Sequence, residues 1–418
     1  MQGLSGKSTA GELTGIAEAP GDGLFRIDEL FFSRTDSRGR IVAGNHVFQR
    51  VSGFDWAEMM GEPHNIVRHP DMPRAVFHIL WERIREGLPT ATYVLNQTRD
   101  GTPYWVFAIV SPLDDGYISV RLKPSSKLHG AVEAIYEDVR AYERAHEPKP
   151  SESAALLMSK LADVGFPNFD TFMATAILQE TRSRNALLGR ETPEHVAALE
   201  DLLRVTGGLV AASEAVAAAT WEYRYVPMNL RIQAGGLGDA GNSMSIISRN
   251  YGILMQSIEQ MLDLFREAVE GMTDAITFGA FRDCAAQIQK EMAEVFSQER
   301  AGDAIVAEIS RLQELRDHQL NDAASRLGVI RDCAQRFFAA KDDMDRLTSG
   351  LAAIKVMGKV EGARISDGQF GALINDLECY QQAMSRGLAE IGQVNNFVRI
   401  HIRDLQPNTL GSGPIDLN

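Results

Sequence analysis

Only three cysteines occur in 418 residues, Cys284, Cys333 and Cys379, and they lie far apart. They can form neither a metal box nor a disulfide framework, which points to a reducing compartment. Long apolar runs are missing too. The most apolar stretch, LVAASEAVAAAT at 209–220, is short and carries Glu214, so no membrane span is expected. The opening MQGLSGKSTAGELTG has no apolar signal-peptide core. Basic residues are in deficit, 42 Lys and Arg against 56 Asp and Glu, for a formal charge of -14. That balance argues against a nucleic-acid or anionic-membrane binder, since both need clustered positive charge. Catalytic signatures are absent as well. GGLGDAG (235–241) has no Lys-Ser/Thr after it and no strand before it. The histidines of the second half, His195, His318 and His401, are widely separated, and there is no serine elbow. The expectation is a soluble, acidic, cytoplasmic protein that is not an enzyme.

What is present divides the chain into two halves. Eight of the fifteen prolines precede residue 125, whereas residues 228–406 contain none. A long proline-free run suits long helices, because an internal Pro costs about 3 kcal/mol. In the first half, FFSRTD (31–36), a turn at Ser37-Arg38-Gly39 and IVAG (41–44) predict a hairpin. Asn45 caps a short helix carrying Val47, Phe48 and Val51, and FDWAEMMG (54–61) predicts a second that ends at Gly61. Val76, Phe77, Leu80, Trp81 and Ile84 recur at helical spacing. TYVLNQT (92–98), YWVFAIV (104–110) and YISVRL (117–122), separated by turns at Asp100-Gly101 and Asp114-Asp115-Gly116, predict an antiparallel meander. The fold class is therefore α+β, an antiparallel sheet with covering helices, over 22–125. A connecting helix and linker occupy 126–152, broken at HEPKPSE (146–152). An all-α helical bundle or coiled coil follows, divided into helical hairpins over 153–285 and 286–403, with flexible ends at 1–21 and 404–418. Leu254, Ile258, Met261, Phe265, Ala268 and Met272 step by four and three as a heptad seam, and Ile305, Ile309 and Leu312 repeat the step.

FFSRTDSRGRIVAGNHVFQRVSGF, MMGEPHNIVRHPDMPRAVFHILW, DGTPYWVFAIVSP and GYISVRLKP, within residues 25–124, resemble the PAS sensor domain of bacterial aerotaxis receptors. The block GEPHNIVRHPDMP (61–73) carries most of the specificity. The resemblance implies a PAS fold, a non-covalent FAD and redox reporting to a chemotaxis signalling domain. It also implies that Asn45, Arg68, His69, Asp71 and Trp81 line or order the flavin pocket, with Asn96, His64 and Tyr104 as weaker candidates. Their chemistry is compatible. Arg68 offers a rigid donor fork, His69 a hydrogen-bond donor near a ring whose charge changes, and Trp81 a flat apolar wall. The same residues also read as purely structural, with Arg68 and Asp71 as an internal ion pair and Trp81 as core. The chain departs from the family at Thr90, where a tryptophan is usual, and at Gln97 and Thr98, where basic residues are usual. Haem, held through a histidine, is the alternative cofactor. A cysteinyl-flavin adduct is excluded, because no cysteine precedes Cys284.

NLRIQAGGLGDAGNSMSIISRNYGIL (229–254) resembles the hairpin tip of methyl-accepting chemotaxis proteins. Asn229, Ile232, Gln233, Ala234, Gly238, Asp239, Gly241, Met244, Ile247 and Ser248 fall in register, while Gln233-Ala234-Gly235-Gly236 replaces the family's Glu-Ala-Ala-Arg run. VMGKVEGARISDGQFGALINDLE (356–378), with Glu361-Gly362-Ala363-Arg364 and Asp367, reads as a divergent second copy. Two such hairpins can close an intramolecular four-helix bundle. The resemblances together imply a redox or oxygen sensor-transducer, working as a homodimer; the family's receptors are membrane-anchored, and the lack of a membrane span here makes a soluble transducer the expectation. Its expected partner is a chemotaxis-type histidine kinase or adaptor, with recruitment to receptor arrays or a cell pole. The alternative is a ligand-free PAS and helical-bundle scaffold unrelated to chemotaxis.

Overall fold

β-Branched and aromatic residues dominate five short segments, and these pair into one antiparallel sheet. The strands are β1 (Phe31–Asp36), β2 (Ile41–Gly44), β3 (Thr90–Gln97), β4 (Pro103–Leu113) and β5 (Gly116–Leu122). The computed structural model of the chain describes residues 23–236, 241–298, 303–364 and 368–404. Strand order is β2-β1-β5-β4-β3, so the first hairpin joins the later meander through β1 and β5. That pairing depends on a glycine. Gly116 stands opposite Asp36, and a Cβ there would fall 2.0 Å from the carbonyl oxygen of Thr35.

Helices cover both faces. On one lie α1 (His46–Ser52), α2 (Trp56–Met59), a 3-10 turn (His64–Val67) and α3 (Arg74–Arg85). Phe48, Val51, Met59 and Val67 pack there with Phe31, Val94, Tyr104 and Val106. On the other lies α4 (Lys127–His146). Trp105 donates from Nε1 to Glu133 at 3.2 Å, and the His129 ring lies 5.0 Å from Trp105 and 5.2 Å from Tyr93.

At 146–152 the chain bends rather than running on as a linker. Pro148 and Pro150 end α4, but Pro150 also opens α5 (Pro150–Asp163), the position in a helix where proline costs no hydrogen bond. α5 packs on α3 and α4, and the first compact unit ends at Val164. Glu143 is the reason it stays. Its fully buried carboxylate accepts from the backbone N–H of Arg74 at 3.0 Å and of Ala75 at 3.1 Å, and from the Ser153 hydroxyl. One side chain of α4 thus caps α3 and holds α5.

The second unit, from Gly165, is helical: α6 (Phe169–Leu187), α7 (Glu194–Glu222), α8 (Val226–Gly235), α9 (Asn242–Gln298), α10 (Asp303–Arg364) and α11 (Gly368–Asp404). The boundary expected at 285/286 falls inside α9. Cys284, Ala285 and Ala286 are all buried there, and no helix breaker interrupts them. α7, α9, α10 and α11 form a four-helix bundle. Phe265 of α9 meets Phe337 of α10, Lys359 of α10 bonds Glu378 of α11, Thr220 of α7 meets Tyr380 of α11, and His195 of α7 bonds Asp283 of α9. These pairings make neighbours antiparallel, so the α8–α9 and α10–α11 reversals lie at one end. Gly238, Asp239 and Asp367, the centres of the two expected tips, lie outside the described residues, as do 1–21 and 405–418. The heptad seam is offset from the one expected. Ile258, Phe265, Ala268 and Met272 are buried, but Leu254 and Met261 are only half-buried and their neighbours Met255 and Leu262 are buried instead, which keeps the four-three step along α9. Among the described residues one stretch, Glu194–Gly235, is long and apolar enough to cross a membrane; its Leu202, Leu209 and Val216 are buried.

Two outcomes follow from the buried carboxylates. Glu143→Ala is expected to lower the stability of the first unit by about 3 kcal/mol, the scale for dismantling a buried, hydrogen-bonded charge, measured by urea denaturation. Burial raises the Glu143 pKa, but the Ser153, Arg74 and Ala75 hydrogen bonds outweigh it and lower it on balance. Its contribution is therefore complete above the unfolded value of about 4.3 and fades as pH falls through the folded one. In the second unit, His195→Ala is expected to cost about 3 kcal/mol. It removes the 3.0 Å partner of Asp283, whose Oδ1 already lacks a hydrogen bond.

Candidate functional site

Residues of one parity on each strand face the first group of helices, and between them lies a cavity of about 310 Å³. Ser33, Thr35, Val94, Asn96, Ala108, Val110, Tyr117, Ser119 and Arg121 form its floor, as the two-residue repeat of a strand requires. Phe77, Leu80, Trp81 and Ile84 of α3 wall it, at the three-to-four spacing of one helix face. The 3-10 turn adds His64 and Asn65, and Arg68 follows at its end.

Arg121 dominates the electrostatics. It is 6% exposed, donates from Nη1 to Ser33 Oγ at 2.9 Å and from Nη2 to His64 Nε2 at 2.8 Å. Among the described residues no carboxylate pairs with it, and burial pushes its pKa down to about 10. Because a guanidinium only donates, His64 Nε2 accepts, so this imidazole is neutral. Burial, then the Arg121 charge, lower its pKa well below the usual histidine value. The His64 ring stacks on Phe48 at 5.5 Å. Beside Arg121, the buried Ser119 Oγ has no hydrogen-bond partner. A buried cation without a counter-charge next to an unpaired hydroxyl is costly unless something else completes them.

Of the sequence-predicted residues, Arg68, Trp81 and Asn96 come together on this cavity, with His64 from the weaker set. Arg68 lies 3.9 Å over the Phe77 ring and bridges to Asn96 through backbone. Trp81 meets Tyr117 edge-on at 5.5 Å. Asn45, His69 and Asp71 do not line it. Asn45 accepts from the N–H of Phe32 at 3.0 Å and of Phe48 at 3.1 Å and donates to Leu30 O at 2.8 Å, which uses its amide to join α1 to β1. His69 accepts from the Asp71 N–H at 3.1 Å. Asp71 pairs with Arg144 and not with Arg68, because α4 brings Arg144 across it. Tyr104 lies in the core, stacked on Phe31 at 6.1 Å. Thr90, Gln97 and Thr98 also lie off the lining. Sequence reasoning missed Arg121, Ser119 and Ser33. The signal was present in β5, where Tyr117, Ser119 and Arg121 alternate with Ile118, Val120 and Leu122 although both faces of the sheet are covered.

Arg121 holds His64 neutral, so Arg121→Met is expected to raise the His64 pKa, read from the ring proton shifts by NMR. In the native chain the lowered His64 pKa means that stability falls as pH drops from about 6.5 toward the folded value. Over that range the unfolded imidazole gains a proton that the folded one does not.

Residues 41–120 match the family described as the PAS fold. The aerotaxis receptor of Escherichia coli (strain K12) is 37% identical over 119 residues, 27% of this chain and 24% of the receptor. A nitrogen fixation regulatory protein of Klebsiella oxytoca is 27% identical over 81 residues, 19% of this chain and 16% of that protein. Among solved structures, the light-state LOV domain of the blue-light photoreceptor Aureochrome1 is 28% identical, covering 24% of this chain and 85% of that one with a TM-score of 0.22. The chain thus spans about a quarter of the aerotaxis receptor's length and less of the regulator's. Its amino-terminal unit, a five-stranded antiparallel sheet with helices on both faces, is a PAS domain similar to that of the aerotaxis receptor.

Proposed function

We propose that this chain is a redox sensor-transducer of chemotaxis-like signalling, with FAD in the PAS cavity and an output surface on the helical bundle. The observation that carries the reading is Arg121, a buried cation with no carboxylate partner among the described residues, which opens onto a cavity with aromatic and aliphatic walls. The likeness to the aerotaxis receptor supports it. A cavity of about 310 Å³ lies at the small end of ligand sites, which suits a flat ring system with the rest of a dinucleotide outside. A flavin would supply a ring whose charge and hydrogen bonding change on reduction. Arg121, Ser119 and Asn96 are the donors available to its polar edge, and Trp81, Phe77 and Leu80 exclude water from it. Haem fits less well, because His64, the one histidine on the lining, already has Nε2 engaged by Arg121.

Transmission starts from the same guanidinium. Arg121 joins β5 to Ser33 of β1 and to His64, so a change in the charge it faces alters its hold on both. The Tyr117–Lys123 segment leads into α4, and bundled helices have discrete packings between which a small bias can select. The partner we favour is a chemotaxis-type histidine kinase or its adaptor, engaged by a soluble, cytoplasmic homodimer without catalysis of its own, at receptor arrays or a polar complex.

The purified full chain is expected to show a two-banded flavin spectrum that dithionite bleaches. Arg121→Met, and independently Ala108→Phe, which fills the cavity, should weaken flavin binding about tenfold or more. A single sharp Soret band would replace flavin by haem. A protein that stays colourless after incubation with excess FAD would overturn the reading and leave a ligand-free scaffold.

A further inference from the structure

An open groove lies outside the cavity on the same unit, lined by Asn65, Arg68, His69, Met72, Arg74 and Arg140. Asn65 and Arg68 line the inner cavity as well, so these two side chains are common to both spaces. Charge is unbalanced in the groove. Three guanidiniums share one carboxylate, Glu143, which is 3.9 Å from Arg74 and 3.4 Å from Arg140, while the nearby Asp71 is taken by Arg144. The groove keeps this cationic surplus in a chain of net charge -14.

Donors are in surplus too. Arg140 Nε is buried without a hydrogen-bond partner. Among the described residues the Arg68 guanidinium donates only to Met72 O, at 3.3 Å, and it covers the Phe77 ring. Glu143 takes up only one of them, from Arg140 Nη1 at 3.4 Å, because it also accepts from Arg74 N–H, Ala75 N–H and Ser153. Burial lowers the Arg68 pKa, Glu143 opposes that, and the Arg140 and Arg74 charges lower it further. A multiply charged anion with several acceptor oxygens would satisfy both the charge and the unmade hydrogen bonds, and arginine forks match phosphate geometry.

We infer that this groove is a phosphate site that takes the diphosphate of the dinucleotide whose ring occupies the cavity. This rests on the flavin reading given above, and it adds the reason for FAD over smaller flavins. The rival exit is at Arg38, also on the cavity lining, but it is a single exposed arginine on the β1–β2 turn.

The test titrates the full-length apoprotein with riboflavin, FMN and FAD, following flavin fluorescence. The native chain is compared with the Arg74→Gln/Arg140→Gln double variant and with Arg38→Gln. The native chain is expected to prefer FAD over riboflavin by about tenfold or more, the scale of one charge-assisted hydrogen bond. The double variant should lose that preference while its riboflavin affinity, which also reports folding, stays unchanged. Inorganic pyrophosphate should compete with FAD and not with riboflavin. Retention of the preference in the double variant, or its loss in Arg38→Gln alone, would overturn the groove assignment and leave the flavin ring in the cavity. Pyrophosphate binding that is indifferent to bound FAD would make the groove a separate free-phosphate site, and would overturn the assignment equally. If none of the three flavins binds, the flavin reading itself fails and the inference falls with it.

Discussion

A carboxylate with no exposed surface sets the arrangement of the first unit. Glu143 comes from α4, yet it closes the first turn of α3 and accepts from Ser153 of α5. Two unsatisfied N–H groups at a helix start and a buried negative charge are each costly, and here each removes the cost of the other. The consequence reaches the cavity, because α3 supplies its aromatic and aliphatic wall. A displacement of that wall would load the Glu143 contacts, and with them the two helices that carry the chain toward Gly165. Cavity wall and exit helix are thus joined through one side chain.

Arg121 plays the complementary part on the sheet. A guanidinium under a covered face would normally be matched by a carboxylate; here it is matched by a serine and a neutral imidazole. Such an arrangement satisfies hydrogen bonds without neutralising charge. It leaves a positive potential in a space with mostly apolar walls, where low polarisability makes any change of ligand charge strongly felt. The same residue ties β5 to β1, so the electrostatic and mechanical roles fall on one group.

Much of this was legible in the sequence, and the parts that were not have identifiable causes. The five strands, Asn45 as a helix cap and the α3 stripe follow from alternation, capping and helical spacing, which are local. Arg68, Trp81 and Asn96 were found through the block at 61–73 and its neighbours. His69 and Asp71 belong to the same block but face outward, because the chain bends between the 3-10 turn and α3; adjacency in a motif does not fix direction. Arg121 escaped notice for the opposite reason. It lies in a strand where an arginine reads as solvent-facing, and only the knowledge that both faces are covered turns it inward. The continuation of α9 through 285/286 was hidden because a helical stretch with no breaker gives no sign of where one hairpin ends. The bend at 146–152 reads as a linker in the sequence because proline signals both the end of one helix and the start of another.

The helical unit follows from the same economy of contacts. Its four main helices belong to one chain, so the square of α7, α9, α10 and α11 forms without a concentration-dependent association step. Both α8–α9 and α10–α11 turn back at the same end, and this end carries exposed apolar residues on three helices: Met228 and Ile232 on α8, Ile246 on α9, and Val356 and Val360 on α10. Burying those residues inside would require a wider bundle than four helices make, and exposing them costs hydration free energy that a partner could recover. At the far end the polar groups His195, Asp283 and Gln287 interlock between α7 and α9. Directional hydrogen bonds there admit fewer packings than the apolar seam does, so a bias arriving from the sensor unit would be expressed most readily where the seam is apolar and the helices reverse.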